Sequence, residues 1–317
     1  MKDKQITENR RSETRGLRQL FSKQWLYLVS LFESMLGNTH HTALDASERF
    51  DALEEMVTGT DKRIRALFGY KKRLREAISS TLSYIDKAIE CLPEAVLVDK
   101  NSFIRNPAIN AFFVGMYDIK DVFSSSRELR KFFASNKYAS YNEAYAVLFV
   151  SRDQKHVLGK VINNDCLVSD VEQTIVNFST HQVVAPCASE ELVRKALEEI
   201  IYNQIVKYVS LQMARIRRRQ QSEQFGKDHP EACVNGVCNP EIYLEELISH
   251  LTLPNPLLSC EKKELRLNKM GVVVDQNSTE AVNEFTAHEF RIGEQPARVV
   301  MLVRYPRDGM LPDKSLF

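Results

Sequence analysis

The chain has 317 residues, of which 44% are hydrophobic and 27% charged, a composition typical of a protein with a packed core. Its 43 lysines and arginines almost balance its 42 aspartates and glutamates, so a partner bound by charge must use a local patch. No signal-peptide pattern follows Met1, and no apolar run approaches the roughly 20 residues of a membrane span. The sequence therefore predicts a soluble, cytoplasmic protein that crosses no membrane.

The first 92 residues predict a polar tail followed by helices. Residues 1–16 have almost no apolar side chains and are expected to be disordered. Between residues 17 and 92 the apolar residues recur at intervals of three and four, the period of a helix with one buried face. Gly37 and Gly59 are expected to end two helices, and a third is expected to run from Thr60 to the residue before Pro93. Three such helices predict a bundle.

Short helices and strands are predicted next. Asn106-Pro107 and Ser126 are typical helix starts within a phenylalanine-rich stretch. From Tyr145 the apolar period falls toward two, and polar turn formers at 152–155 and 163–165 separate the expected strands. A small antiparallel meander follows from this pattern.

A long helix is predicted after the meander. Ser189 is expected to cap it, and its apolar stripe, which includes Leu211, continues to about Phe225. Such a helix is roughly 50 Å long, which is longer than a helix needs to be to cover one small sheet. Part of it is therefore expected to contact a partner chain, as in a coiled coil.

The C-terminal part completes an α+β protein. Residues 226–240 are predicted to be a linker or a cysteine hairpin, Pro240 to start a short helix, and segments 265–274, 284–292 and 297–305 to be strands. The expected architecture is an N-terminal helical bundle (17–92), a central small antiparallel sheet with a long helix (93–225), and a C-terminal three-stranded antiparallel sheet (241–317).

A pair of cysteines is the most distinctive local feature. In Cys233-Val-Asn-Gly-Val-Cys238 the Asn-Gly step favours a tight hairpin turn, which would bring the two thiols opposite each other. They could hold zinc, with His229, His250 or Cys260 as further ligands, or form a disulfide, or remain ordinary thiols. No second metal-binding pair occurs at the usual spacing, so the expectation is no cofactor, with zinc as the alternative.

Basic residues cluster on two predicted helices. Arg215, Arg217, Arg218 and Arg219 stand near the end of the long helix, where they could bind phosphates or simply complement the negative helix terminus. The third predicted helix has a second basic set, which could equally be a solvated face: Lys62, Arg63, Arg65, Lys71, Lys72, Arg73 and Arg75. Nucleic acid is therefore a possible partner.

Familiar catalytic and nucleotide-binding motifs do not occur in the sequence. The favoured hypothesis is a non-catalytic interaction, scaffold or regulatory protein that binds a protein partner or itself through helices. An enzyme with an unrecognised site, near His181 or at the cysteine hairpin, is the first alternative. Nucleic-acid binding through the basic helix faces is the second.

Overall fold

The computed structural model of the chain describes residues 52–163, 166–224, 240–252, 257–275 and 282–312. The predicted tail, the helix before Gly37 and the cysteine hairpin lie outside the described residues. The side chains of residues 161–168, 217 and 219–224 lie outside them too.

The helix predicted to start at Thr60 starts later in the structure. Helix α1 spans Ala52–Thr60, a 3₁₀ helix spans Lys62–Ala66, and helix α2 spans Tyr70–Glu90. The single predicted helix starting at Thr60 is therefore wrong in its first part. Asp61 accepts a hydrogen bond from the Arg63 amide and starts the 3₁₀ helix, and Gly69 (φ 75°) provides the left-handed residue before α2.

Four short helices follow strand β1 (Val96–Leu97), and two of them start as predicted, after Asn106 and after Ser126. They are α3 (Lys100–Arg105), α4 (Pro107–Phe112), α5 (Met116–Ser125) and α6 (Arg127–Ala134). The Asn106 side chain accepts hydrogen bonds from the Ala108 and Ile109 amides, and the Ser126 side chain accepts one from the Leu129 amide. These caps satisfy amides that lack a partner inside the helix.

One sheet, rather than the predicted two, contains the strands. Its members are β1, β2 (Glu143–Asn163), β3 (Cys166–Cys187), β4 (Leu258–Leu267), β5 (Asn283–Ile292) and β6 (Arg298–Pro306). The order is β3-β2-β6-β5-β4, antiparallel throughout, and β1 pairs in parallel with β6. The α+β class is confirmed. The two predicted sheets merge because β6 pairs directly with β2 along Glu143–Ser151.

The meander is also simpler than expected, since β2 and β3 are two long strands. Residues 152–155, predicted to form a turn, continue β2 and pair with residues 175–178 of β3. The Asp153 carboxylate accepts a hydrogen bond from the Ser179 hydroxyl, and His156 is hydrogen-bonded to Thr174. These cross-strand bonds outweigh the turn preference of the polar residues. The reversal occurs at the second predicted turn, since Asn163 pairs with Cys166.

The sheet curls until its two ends approach each other. After β4 a turn returns residues 272–274 against the end of β4, and Val272 also bridges to Ile175 of β3. The Val176 amide donates to the Gly271 carbonyl and the Val273 amide to the Thr174 carbonyl, both at 2.8 Å. Inside this curl lies α4, where Phe112 contacts Phe178 and Phe285.

Helices cover the other face. The long helix α7 spans Glu190–Gln224 and starts after Ser189, as predicted; α8 spans Pro240–Leu251. The main core joins α1, α2, α7 and α8 to the sheet, with Met56, Ile85, Val193, Leu197, Ile205, Val209, Leu247, Val147, Val300 and Leu302 among its members. Leu211, predicted to be in the buried stripe, is 53% exposed. None of the described helices is both long and apolar enough to cross a membrane.

Candidate interaction surfaces

The predicted zinc ligands Cys233, Cys238 and His229 lie outside the described residues. Of the further ligands considered, His250 lies on α8, where its buried Nε2 forms no hydrogen bond within the described ranges. Cys260 lies on β4, and burial raises the pKa of its thiol to about 11. Among the described residues no three His, Cys, Asp or Glu side chains are grouped closely enough to hold a metal ion.

His181 packs as a structural residue. Its Nε2 lies 2.8 Å from the Phe112 carbonyl, and because a carbonyl can only accept, this nitrogen must have the proton. The ring stacks on Phe113 with centroids 4.7 Å apart. Burial lowers the pKa of His181, which keeps the ring neutral at physiological pH. The nearby Ser179 hydroxyl donates to Asp153, not to His181.

The predicted arginine cluster of the long helix lies in its C-terminal third. Arg215 and Arg218 are exposed. The Arg215 guanidinium lies 3.9 Å from the Glu294 carboxylate, a contact between exposed side chains worth little in water. The side chains of Arg217 and Arg219 lie outside the described part. The described geometry therefore brings two of the four predicted arginines to one exposed stretch of helix.

The basic residues predicted on the third helix instead flank, in the sequence, a fully exposed phenylalanine. We call residues 65–71, which connect the 3₁₀ helix to α2, the Phe68 loop. Phe68 has a relative exposure of 104%, so its ring packs against no other residue that the structure describes. Its neighbour Leu67 packs against the core, and together the residues of the loop line an open depression of about 510 Å³.

Hydrogen bonds fix both ends of the Phe68 loop. The Glu54 carboxylate accepts from the Tyr70 hydroxyl at 2.9 Å, from Lys71 at 2.9 Å and from Arg65 at 3.0 Å. The hydrogen bonds from Lys71 and Tyr70 lower the pKa of Glu54 to about 2. Arg65 also donates to the Thr58 hydroxyl at 2.7 Å. Phe68 thus projects from a fixed framework.

A second surface is formed where β2 and β3 extend beyond the rest of the sheet. We call Val157–Asn163 and Cys166–Gln173 the β-ribbon. Strand β6 pairs with β2 only as far as Ser151, and residues 271–273 flank β3 only at 174–176. Beyond these points, no other described strand borders the ribbon, which is roughly 24 Å long at about 3.4 Å per residue. Leu158, opposite Glu172, is 67% exposed.

Two arginines secure the base of the β-ribbon. Arg152 forms a two-pronged ion pair with Glu289 of β5, whose side chain is 6% exposed. On the other face Arg298 of β6 donates to the Gln182 side chain at 2.6 Å and to the Ser151 hydroxyl at 3.2 Å. Burial lowers the pKa of Arg298 to about 10. The ribbon therefore leaves the sheet from a rigid attachment.

Sequence reasoning missed both surfaces. Phe68 belongs to the apolar pattern of a predicted helix, and Leu158 lies in a predicted strand, so neither was singled out as exposed. Gly69 is the one sequence signal that could have indicated a break beside Phe68, because glycine favours a left-handed residue at a helix boundary.

No family model, curated protein or solved structure matches this chain.

Proposed function

We propose that this protein is a non-catalytic interaction protein that works as a self-associated assembly, with the β-ribbon as the contact between two copies. The observation that carries the proposal is the exposed Leu158 on a two-stranded projection. An isolated two-stranded ribbon is marginally stable in water, and an exposed apolar face favours contact with another chain. A second ribbon packed on the first would stabilise the ribbon and cover Leu158.

Charge on the ribbon supports a second copy as the occupant. Lys160 lies two residues after Leu158 and so on the same face, while Glu172 lies opposite Leu158 on β3. All three are exposed, and no ion pair among the described residues joins Lys160 to Glu172. One strand of the face is basic and the other acidic.

A two-fold axis parallel to the ribbon makes this face self-complementary. Such an axis stacks β2 of one copy on β3 of the other, at the usual spacing of about 10 Å between sheets. Leu158 in each copy is then covered by the partner's β3 at Glu172. Lys160, two residues further along β2, lies diagonally from the same Glu172, within reach of a long lysine side chain. Burying the exposed two thirds of two leucine side chains contributes about 2–4 kcal/mol.

The first experiment measures mass in solution by sedimentation over a range of concentrations. The wild-type chain is expected to dimerise, and Leu158→Asp is expected to weaken the dimer about 30- to 1000-fold, from those 2–4 kcal/mol. Leu211→Asp is the matched control, because Leu211 is similarly exposed on α7. A dimer sensitive to Leu211→Asp instead would favour association through the long helix, and a wild-type monomer at high concentration would refute self-association.

The second experiment exchanges the charges. Glu172→Lys alone and Lys160→Glu alone each place like charges across the two-fold axis and are expected to give monomers. An equimolar mixture of the two variants restores both opposite-charge contacts in a heterodimer. Recovery of dimer in the mixture, but in neither variant alone, is a result that a contact within one chain cannot produce.

A further inference from the structure

The Phe68 loop lies within the most basic segment of the chain. Residues 62–75 contain seven lysines and arginines and no acidic residue. Four of the seven form ion pairs with carboxylates outside the segment: Arg63 with Asp61, Arg65 and Lys71 with Glu54, and Arg73 with Glu241 and Glu245. The other three, Lys62, Lys72 and Arg75, are exposed and form no ion pair within the described ranges. They leave a local excess of positive charge.

The position of these cations favours an extended anion with repeated charges. Lys72 and Arg75 are three residues apart on α2 and therefore lie on the same side of the helix. Lys62 begins the 3₁₀ helix, which ends two residues before Phe68. The free cations thus flank the exposed ring in the sequence on both sides. Glu76, in the next turn of α2, forms no ion pair with either of its basic neighbours in the described structure.

The ring itself favours stacking. Phe68 is completely exposed, so both faces of the ring can be reached. Its framework is already fixed through Glu54, Tyr70 and Arg65, so little conformational freedom of the backbone is lost on binding. A flat apolar ring beside several cations is the arrangement by which proteins bind single-stranded nucleic acid, with a base on the ring and phosphates on the cations.

We infer that the Phe68 loop is a binding site for single-stranded nucleic acid. A base stacks on Phe68, and the neighbouring phosphates contact Lys62, Lys72 and Arg75. The site is independent of the β-ribbon. Loss of nucleic-acid binding would therefore leave the proposed self-association untouched, and loss of self-association would leave the proposed nucleic-acid binding untouched. A membrane surface is less favoured, because interfacial binding uses a broad apolar face, whereas here Leu67 packs against the core and Tyr70 donates to Glu54.

The test uses the full chain and a fluorescein-labelled oligothymidine of about 20 nucleotides, with binding followed by fluorescence anisotropy. Phe68→Ala is expected to weaken binding by about 5- to 150-fold, the range for loss of one stacked base. Because the Phe68 ring is fully exposed, the variant is expected to melt at the wild-type temperature, which circular dichroism checks. Tyr117→Ala is the matched control, since Tyr117 is 78% exposed elsewhere and binding should not change.

Two further variants separate stacking from simple hydrophobicity. Phe68→Trp keeps an aromatic ring and is expected to retain binding, whereas Phe68→Leu keeps an apolar group without a ring and is expected to lose it. Replacing Lys62, Lys72 and Arg75 by alanine together should remove most of the salt dependence. For three phosphate contacts, wild-type affinity is expected to fall roughly 20-fold between about 50 and 200 mM salt.

The opposite results are equally definite. Absence of oligonucleotide binding at low salt, or binding that Phe68→Ala leaves unchanged, would overturn the inference. Flotation with vesicles containing phosphatidylserine tests the membrane alternative. Binding to vesicles that both Phe68→Leu and Phe68→Trp preserve, without oligonucleotide binding, would replace the nucleic-acid site with a membrane contact.

Discussion

Replacing Gly271 with alanine should open the curl of the sheet. Gly271 ends the turn that starts at Asn268 and has a φ of 76°, in the left-handed region. A Cβ atom at this position would lie 2.6 Å from the carbonyl oxygen of Val176. Because that oxygen belongs to the backbone of β3, the clash can be relieved only if the turn and the strand move apart.

The expected cost follows from what is lost. A left-handed conformation costs alanine roughly 1–2 kcal/mol. Separation also breaks the two hydrogen bonds between the turn and β3, from the Val176 and Val273 amides, each worth about 0.5–1.5 kcal/mol. The free energy of unfolding of Gly271→Ala should therefore fall by about 2–5 kcal/mol.

Urea unfolding measures this loss, and hydrogen exchange locates it. The amides of Val176 and Val273 should exchange faster in Gly271→Ala, while amides in α7 follow only the global change. Met270→Ala is the control, because Met270 is 80% exposed and should change stability by less than about 0.5 kcal/mol. Gly271→Asn tolerates the left-handed backbone but keeps the clash, so equal losses for Ala and Asn would identify the clash as the cause. Unchanged stability and protection in Gly271→Ala would refute the close contact.

Two other predictions concern the helical layer. Arg194 donates to the carbonyls of Ile89, Leu92 and Pro93 at and just after the end of α2. Arg194→Ala loses these hydrogen bonds from a charged group, so its free energy of unfolding in urea should fall by about 1–3 kcal/mol. An unchanged free energy of unfolding would contradict this role. The lowered pKa of Glu54, about 2, means that its ionised form stabilises the fold above its ordinary pKa near 4.5 and that this contribution is lost as the pH falls toward 2. The difference in melting temperature between wild type and Glu54→Gln should thus be present at pH 6 and shrink between pH 4.5 and 2; a difference that stays constant with pH would argue against it.

Features set by neighbouring residues were predictable from the sequence. Helix α7 begins after Ser189 because that residue, with acidic residues in the first turn, satisfies and complements the start of a helix. The caps at Asn106 and Ser126 follow the same local rule. Each depends on contacts across three or four residues, which a sequence pattern contains.

Features set by distant residues were not predictable. Nothing local indicates that Ala146 of β2 pairs with Val303 of β6, although this register joins the two predicted sheets into one. The polar residues 152–155 resemble a turn because they lie where β2 leaves the body of the sheet, and Arg152 finds its partner Glu289 far along the chain. Pairing over such separations depends on the whole fold.

The candidate surfaces fall where the local pattern and the tertiary structure disagree. An apolar residue in a regular pattern is buried only if another element covers that face. The 3₁₀ helix and Gly69 turn Phe68 away from the core that receives Leu67, and β6 ends its pairing before it reaches Leu158. In both places the framework is fixed by charged hydrogen bonds, so the apolar group cannot fold back into the protein. An apolar group that is held in water has an unfavourable hydration free energy until a ligand or another chain covers it. This free energy favours binding at Phe68 and at Leu158.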